Sequence, residues 1–278
     1  ILVIGKPEVL MQVYNVIGKT QGQFPMPFGS NIYLYLDLYF EDENSVRKAI
    51  EEAKYLNQKL KNNLLIVRIT RPTTVEIMDF IKSELKYFPT INLIIDYSNK
   101  GFAKIIKEDS RKNNIGMIML TSEMFKNKEN TKSVMELKIP VFKFGKEKLK
   151  SIKRTVIVLN DTNSYEQISP IVFDISSQLK VKTKIFDLDP IGEKDGKSTL
   201  LDHFENLAKI FNEKLEVVTS GENPIRELKK QRNMLQILPL KDEMFKKRFS
   251  FKFLYTNSDF IAFDMNKFNQ LLIPIVEE

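Results

Sequence analysis

The residues best suited to bind a ligand follow apolar segments that have the composition of buried strands. Asp37 and Asp161 each end such a segment, and Lys132 and Ser133 stand at the start of a predicted short helix. Carboxylates at strand ends, and a lysine and a hydroxyl at a helix start, are groups that bind polar or anionic ligands. Each is a candidate ligand-binding residue, and the fold decides which of them share a cleft.

The sequence lacks the residue sets of most catalytic centres. It contains no cysteine, which excludes disulfides and thiol catalysis, and its one histidine, His203, cannot build a multi-histidine metal site. There is no Gly-x-Gly-x-x-Gly motif, and Gly192 stands too near to Gly196-Lys197-Ser198 to complete a phosphate loop. We therefore predict that the protein is not an enzyme and holds no resident metal ion.

The net charge of +7 favours anionic neighbours, although a generally lysine-rich proteome explains it equally well. Six of the 43 basic residues fall in a connector of twelve residues near the middle of the chain, from Lys143 to Arg154, where few aromatic residues are interleaved. Such a segment is typical of a solvated linker. We expect an anionic ligand or lipid head groups as partners, and no nucleic acid.

Strands alternate with helices along most of the chain, which predicts parallel β-α-β units in an α/β fold. The pattern occurs twice, since Ile139-Pro140-Val141 returns 134 residues later as Ile273-Pro274-Ile275. We predict a connector over 1–30, one domain over 31–150 and a second, degenerate domain over 151–278. Each domain should contain a mostly parallel, five-stranded sheet.

The last strand of each repeat is predicted over Ile139–Phe144 and Leu271–Val276. Both strands should lie at sheet edges, where unpaired backbone groups invite aggregation. We predict that the two strands pair with each other across the repeats and so form an internal pseudo-dimer.

Five segments of the first repeat have a recognisable order and spacing: Ile32–Asp37 with the helix Ser45–Leu60, Asn63–Arg68, Ile115–Leu120, Lys132–Val134 and Ile139–Val141. In these segments the first repeat resembles the universal stress protein family, and the second repeat is similar more loosely. The resemblance covers about residues 31–145, with strands and helices in the family's order and spacing. It implies two tandem Rossmann-like domains.

Nucleotide-binding members of that family hold phosphates in a Gly-x2-Gly-x9-Gly-Ser/Thr loop, because backbone amides must approach the phosphate oxygens closely. The matching positions here are Thr121, Met124, Lys132 and Ser133, so every glycine is replaced. Asp37 matches the acidic residue that contacts the nucleoside. The resemblance thereby implies two candidate clefts, one near Asp37 and Ser133 and the other near Asp161. Either these clefts bind a nucleotide such as ATP or another anion, or they have become packing surfaces. The residues implied are Asp37, Thr121, Lys132, Ser133 and Asp161.

Domains of this family resemble the cytoplasmic tails of bacterial monovalent cation:proton antiporters. The chain begins with Ile1 and an apolar run, so we expect an upstream membrane domain in the same polypeptide, although a buried first strand explains the run equally well. We predict a regulatory or sensor module for Na⁺ or K⁺ transport, located at the inner face of the cell membrane and homodimeric. The alternative is a free-standing tandem universal stress protein that binds a nucleotide.

Overall fold

The computed structural model describes residues 31–274, with the exception of 61–63, 73, 89, 160–161, 188–201, 203, 211, 213, 220–227 and 241–266. The predicted connector over 1–30 therefore lies outside the described residues, as do Asp161, His203 and the segment Gly196-Lys197-Ser198.

Ten strands and six α-helices are given below for the described chain, with a short 3-10 turn at Leu149–Ser151. Further helical residues lie at 202, 204–210 and 228–230. The strands are β1 (Asn31–Asp37), β2 (Leu64–Thr70), β3 (Ile91–Asp96), β4 (Met117–Leu120), β5 (Val141–Lys143), β6 (Arg154–Leu159), β7 (Lys182–Asp187), β8 (Leu215–Thr219), β9 (Met234–Leu240) and β10 (Asn269–Pro274). The helices are α1 (Glu43–Lys59), α2 (Val75–Leu85), α3 (Phe102–Lys112), α4 (Ser122–Lys126), α5 (Lys128–Leu137) and α6 (Thr162–Leu179).

All ten strands form one sheet in the order β3-β2-β1-β4-β5-β10-β9-β6-β7-β8. The first five strands and the last five follow the same order when each half is traced from its outer edge. Among the described strands, every pairing is parallel except that between β5 and β10. The prediction of a mostly parallel α/β fold with five strands from each half is confirmed.

The sheet lies between two layers of helices, which explains why its central strands are apolar on both faces. Ile32, Leu34 and Leu36 of β1 pack on the face that carries α1, α2 and α6. Tyr33 and Tyr35 point to the opposite face, against α3, α4 and α5. The carboxyl ends of the parallel strands within one half therefore meet at one edge, where the loops to the helices begin.

The two halves join at an antiparallel ladder in which Leu271 is opposite Phe142. The predicted pairing of the two closing strands is therefore confirmed, although β10 begins at Asn269, two residues earlier than predicted. A row of buried polar side chains crosses this seam. The Lys143 ammonium donates to Gln270 Oε1 at 3.0 Å, and Gln270 Nε2 donates to Gln236 Oε1 at 2.8 Å.

The connector between the halves is fixed rather than solvated, contrary to the expectation from its charge. Leu149 is buried, and its backbone N–H donates to the buried Glu52 of α1 at 2.6 Å. Glu147 accepts a hydrogen bond from the backbone N–H of Asn233 at 2.7 Å. Leu149, Glu52 and Glu147 therefore hold the connector in place, although its sequence is dominated by lysines.

The segment after β4 differs from its prediction. The sequence pattern indicates a loop followed by a helix from Thr131, but two helices, α4 and α5, fill the region. Thr121 caps α4, because its side chain accepts the backbone N–H of Met124. Asn127 caps α5 by accepting the N–H groups of Glu129 and Asn130. Two local capping residues thus convert the expected loop into helix.

Candidate functional site

The candidate site lies where β1 and β4 are neighbours in the sheet. The chain leaves β1 toward β2 on one side, while β4 lies on the other side, so the loops after β1 and β4 diverge. Open α/β sheets bind ligands in the crevice at such a switch point. Asp37 ends β1 and Thr121 follows β4, so the structure brings these two predicted residues to the same edge.

Asp37 is fully buried, and protein donors occupy its carboxylate. Arg71 donates from Nε to Oδ1 at 2.8 Å and from Nη2 to Oδ2 at 2.6 Å. The backbone N–H of Phe102, at the start of α3, donates to Oδ2 at 3.2 Å, and that of Tyr39 donates to Oδ1 at 3.3 Å. A carboxylate has about four lone-pair sites. Four donors therefore use the acceptor capacity that a nucleoside hydroxyl would need.

Arg71 is a site residue that the sequence reasoning missed. It follows β2 with a φ of 48°, in the left-handed region that residues other than glycine seldom adopt. Its guanidinium also lies 4.5 Å from the ring centre of Tyr39 and 5.1 Å from that of Phe40. The ion pair and the two aromatic rings hold this cation over Asp37, at a position that the ordinary turn signals around Pro72 do not reveal.

Thr121 closes the switch point by bonding to Glu41 from the loop after β1. The Thr121 hydroxyl donates to Glu41 Oε1 and accepts the Met124 N–H at 3.2 Å. Glu41 is buried, and its other oxygen, Oε2, has no hydrogen-bond partner among the described residues. The pKa of the Glu41 carboxyl is raised to about 7, chiefly by burial; the Thr121 hydrogen bond opposes this rise, and the nearby carboxylates of Glu123, Asp42 and Asp37 add to it.

Lys132 and Ser133 do not stand at a helix start. Both lie within α5, whose first residue is Lys128. Ser133 is buried, whereas the Lys132 side chain is 79% exposed and lies 4.0 Å from Glu136. Their positions separate the two side chains that the family pattern would place together. Their binding of an anion stays a prediction, and so does the role of Asp161.

Two open cavities flank the closed switch point. One, of about 300 Å³, lies between the starts of α1 and α4 and the end of β5. The other, of about 230 Å³, lies beside the Asp37–Arg71 pair at the starts of α3 and α5. Residues of the first include Ser45, Lys48, Ser122, Lys126, Phe144 and Lys146. Residues of the second include Phe40, Arg71, Gly101, Lys104, Asn127 and Asn130.

Lys48 marks the inner wall of the larger cavity. Its ammonium donates to the backbone carbonyl of Gly145, which fixes the start of the connector to α1. Burial lowers the pKa of Lys48, and the nearby Lys148 lowers it further, while Glu52 acts in the opposite direction. Lys126 and Lys146 also line the cavity, together with Glu123, which pairs with Lys126 at 2.6 Å. This cavity therefore presents several basic groups to an anion.

The described residues contain no group of three histidine, cysteine or acidic side chains positioned to hold a metal ion. No helix in the same part of the chain is both long and apolar enough to cross a bilayer.

Three solved structures resemble this one over most of their length. The first is a Pseudomonas aeruginosa UCBPP-PA14 protein assigned to the universal stress proteins, with 12% identity, coverage of 88% of this chain and 92% of that one, and a TM-score of 0.58. The fold is that of the universal stress proteins. A universal stress protein from Archaeoglobus fulgidus DSM 4304 covers 87% of this chain and 96% of its own, with 11% identity and a TM-score of 0.53.

A functionally unknown protein from Pseudomonas aeruginosa PAO1 has the same TM-score as the first, 0.58, at 11% identity, covering 88% of this chain and 92% of its own. The amino-acid sequence matches no protein-family model and no curated protein. Similarity to the universal stress proteins is therefore a similarity of fold, and the function has to be argued from the site.

Proposed function

We propose that this chain is a non-catalytic regulatory module of the universal stress protein fold, and that it serves a membrane cation/proton antiporter for Na⁺ or K⁺ from the cytoplasmic face. The observation that supports this proposal is the closed switch point. Arg71 neutralises Asp37, and α4 fills the place of the glycine-rich loop. A site closed in this way suits a domain that changes state rather than one that turns over a substrate.

A nucleotide bound in the family manner would have to displace protein groups at two points. Its ribose would compete with Arg71 for the fully buried carboxylate of Asp37. Its phosphates would meet the side chains of Thr121 and Met124, both of which are buried against the sheet. Breaking a buried ion pair is strongly destabilising, because it leaves a charge without its partner.

A regulatory module acts only if something binds its two states with different affinity. The cavity beside α1 and α4 offers a surface for that purpose, and its lining contains three lysines, Lys48, Lys126 and Lys146, against one carboxylate, that of Glu123. Its chemistry fits an anionic ligand or lipid head group near the membrane. Such a ligand would contact the connector and the start of α4 together.

The alternative proposal is a free-standing tandem universal stress protein that binds a nucleotide. One observation favours it: the cavity beside Arg71 receives the amino-terminal ends of α3 and α5, and Lys104 lines it. Helix starts and cations attract phosphate. In this arrangement Arg71 would contact the phosphate instead of closing the site.

Thermal unfolding with millimolar ATP, ADP or inorganic phosphate distinguishes the two proposals, because a ligand that binds the folded state raises the melting temperature. The regulatory proposal expects no nucleotide shift that depends on Asp37, because its anion would bind at the cavity beside α1 and α4. The alternative expects a shift with ATP that Asp37→Ala abolishes and that Asp79→Ala retains. Asp79 is a matched control because its side chain is 68% exposed on α2. A nucleotide shift of this kind would overturn the first proposal.

The transporter link needs a separate test, namely the complete gene product. Ten or more apolar segments upstream of Ile1, in one reading frame with this chain, would support the antiporter proposal. An initiator methionine directly before Ile1 would contradict it. Co-purification of the chain with membrane vesicles rich in anionic lipid, and its loss at high salt, would test contact with lipid head groups.

A further inference from the structure

We propose that Glu41 and Thr121 form a proton-sensitive latch, which holds the loop after β1 against the start of α4 while Glu41 is protonated and releases it when Glu41 ionises. This inference builds on the regulatory role proposed above, because it names the proton as one signal that the module reads. The experiments below use the chain alone, without any transporter.

The latch consists of one hydrogen bond across the switch point and one cap. A hydroxyl has a single proton, and that of Thr121 is given to Glu41 Oε1. The same oxygen accepts the N–H of Met124 and so begins α4. A movement of Glu41 that breaks the first bond would therefore reach the helix through Thr121.

The other oxygen of Glu41 makes the latch sensitive to charge. Glu41 is only 7% exposed, and Oε2 has no hydrogen-bond partner among the described residues. A buried carboxylate oxygen without a donor is far more costly when it carries negative charge than when it is protonated. Ionisation of Glu41 thus favours any rearrangement that brings Oε2 to water.

The charged groups that face Glu41 also disfavour its ionised form. Glu123 approaches from α4, Asp42 from the start of α1 and Asp37 from the end of β1. Arg71, the cation beside Asp37, is committed to that carboxylate by two hydrogen bonds. Burial is the largest cause that raises the pKa of Glu41. The hydrogen bond from Thr121 favours the ionised carboxylate and opposes the rise, but burial outweighs it, and the pKa is about 7, within the range of cytoplasmic pH.

The latch also borders the larger cavity. Thr121 and Ser122 line it, and Ser122 donates to the carbonyl of Phe144 at 2.6 Å. Release of α4 would therefore alter the same basic surface that we propose to bind an anion. The proton and the anion would be linked through one short helix.

A fluorescence titration tests the latch, because the chain contains no tryptophan. Tyr39→Trp places a single reporter two residues from Glu41, at a side chain that is 72% exposed. We expect its emission to change with a midpoint near pH 7. In Tyr39→Trp/Glu41→Gln the signal should stay at its low-pH value, since glutamine imitates the protonated acid. In Tyr39→Trp/Glu76→Gln, where Glu76 is exposed, the transition should be unchanged.

Two results would overturn the latch: a flat titration in the reporter variant, or a transition that Glu41→Gln leaves intact. The second result would assign the change to another group, such as His203. Amide hydrogen exchange supplies an independent measurement. After correction for intrinsic exchange, amides of 38–42 and of α4 should lose protection between pH 6 and pH 8 in the wild type. They should keep it in Glu41→Gln.

A second pair of variants tests the hydroxyl. Thr121→Val removes both the bond to Glu41 and the cap, so the α4 amides should exchange fast at either pH, whereas Thr121→Ser should behave as the wild type. Equal protection in both variants would contradict the latch. If the latch proposal fails, the nucleotide titration is unaffected. If nucleotide binding overturns the regulatory proposal, the pH transition remains. The two proposals can therefore fail separately.

Discussion

Gly145 is in backbone contact with Phe268 across the seam between the two halves of the sheet. A Cβ atom at Gly145 would lie 2.1 Å from the carbonyl oxygen of Phe268 and 2.7 Å from the backbone nitrogen of Asn269. The N–H of Gly145 also donates to Asn269 Oδ1 at 2.9 Å. Only a residue without a side chain allows the connector to approach β10 this closely.

Gly145→Ala should therefore destabilise the protein by about 2–3 kcal/mol, because the backbone of Phe268 cannot yield as a flexible side chain would. Gly101→Ala is the matched control, since its nearest neighbours would be Arg71 atoms at 3.6 Å, an ordinary contact. That change should alter stability by less than about 1 kcal/mol. Urea denaturation measures both, and equal losses would contradict the contact at the seam.

The buried row of Lys143, Gln270 and Gln236 should show energetic coupling across the seam. Gln270→Leu removes an acceptor from the Lys143 ammonium and should cost about 2 kcal/mol. In the double variant with Lys143→Met the loss should be smaller than the sum of the single losses by about 1 kcal/mol or more. Denaturant unfolding of all four proteins gives this coupling energy. Additive losses would show that the hydrogen bond seen between them contributes little.

The ion pair at the switch point should require arginine. Lysine has a single ammonium and cannot reproduce the two hydrogen bonds that Arg71 makes to Asp37, so Arg71→Lys should cost about 2 kcal/mol. Arg47→Lys is the control, because Arg47 pairs with Glu43 four residues earlier on exposed helix surface. Its cost should stay under about 0.5 kcal/mol. Equal losses of stability in Arg71→Lys and Arg47→Lys, measured by thermal or urea unfolding, would contradict the structural importance of Arg71.

The buried carboxyl of Glu52 should make the free energy of unfolding depend on pH. Burial is the largest cause that raises the pKa of this carboxyl, while the Leu149 N–H opposes it. The folded state therefore keeps its proton to a higher pH than the unfolded state does. Stability from this group is complete at low pH, below the unfolded pKa, and is lost as pH rises through the folded value. Glu52→Gln should flatten that decline, and Glu76→Gln should not.

Glu41 contributes to stability with the same sign, over a window that ends near pH 7. Unfolding free energies of the wild type, Glu41→Gln and Glu52→Gln between pH 5 and pH 8 would separate the two contributions. In the double variant Glu41→Gln/Glu52→Gln the free energy of unfolding should vary least with pH. A wild-type protein whose stability rises over this window would contradict the raised pKa of both groups.

Much of the fold was predictable because strand signals are local. The buried run of β1 and the proline-marked closing strands each identify themselves within a few residues. Their repetition then indicated two similar halves and the pairing of β5 with β10, which the sheet confirms. The parallel topology follows from alternation of strands and helices, which needs no knowledge of distant contacts.

The site was less predictable, because its decisive partners are distant in sequence. Arg71 lies 34 residues from Asp37, and Thr121 lies 80 residues from Glu41. Neither pairing leaves a local pattern. The helices α4 and α5 did leave one, since Thr121 and Asn127 are both capping residues. These caps predict that α5 begins at Lys128, so that Ser133 lies in its interior rather than at its start.

The pairing of β5 with β10 restricts how copies of this chain could associate through their sheets. In the described part of the molecule the sheet terminates at β3 and β8. Strand β3 leaves Ile94 41% exposed, with Tyr97 just beyond it. Pairing β3 of one copy with β8 of the next would leave a free edge on every added copy, so the assembly could grow without limit. Pairing β3 with β3 of a second copy would instead give a closed, two-fold symmetric dimer. The homodimer that we predict would then be a twenty-stranded sheet or would use the outer helices instead.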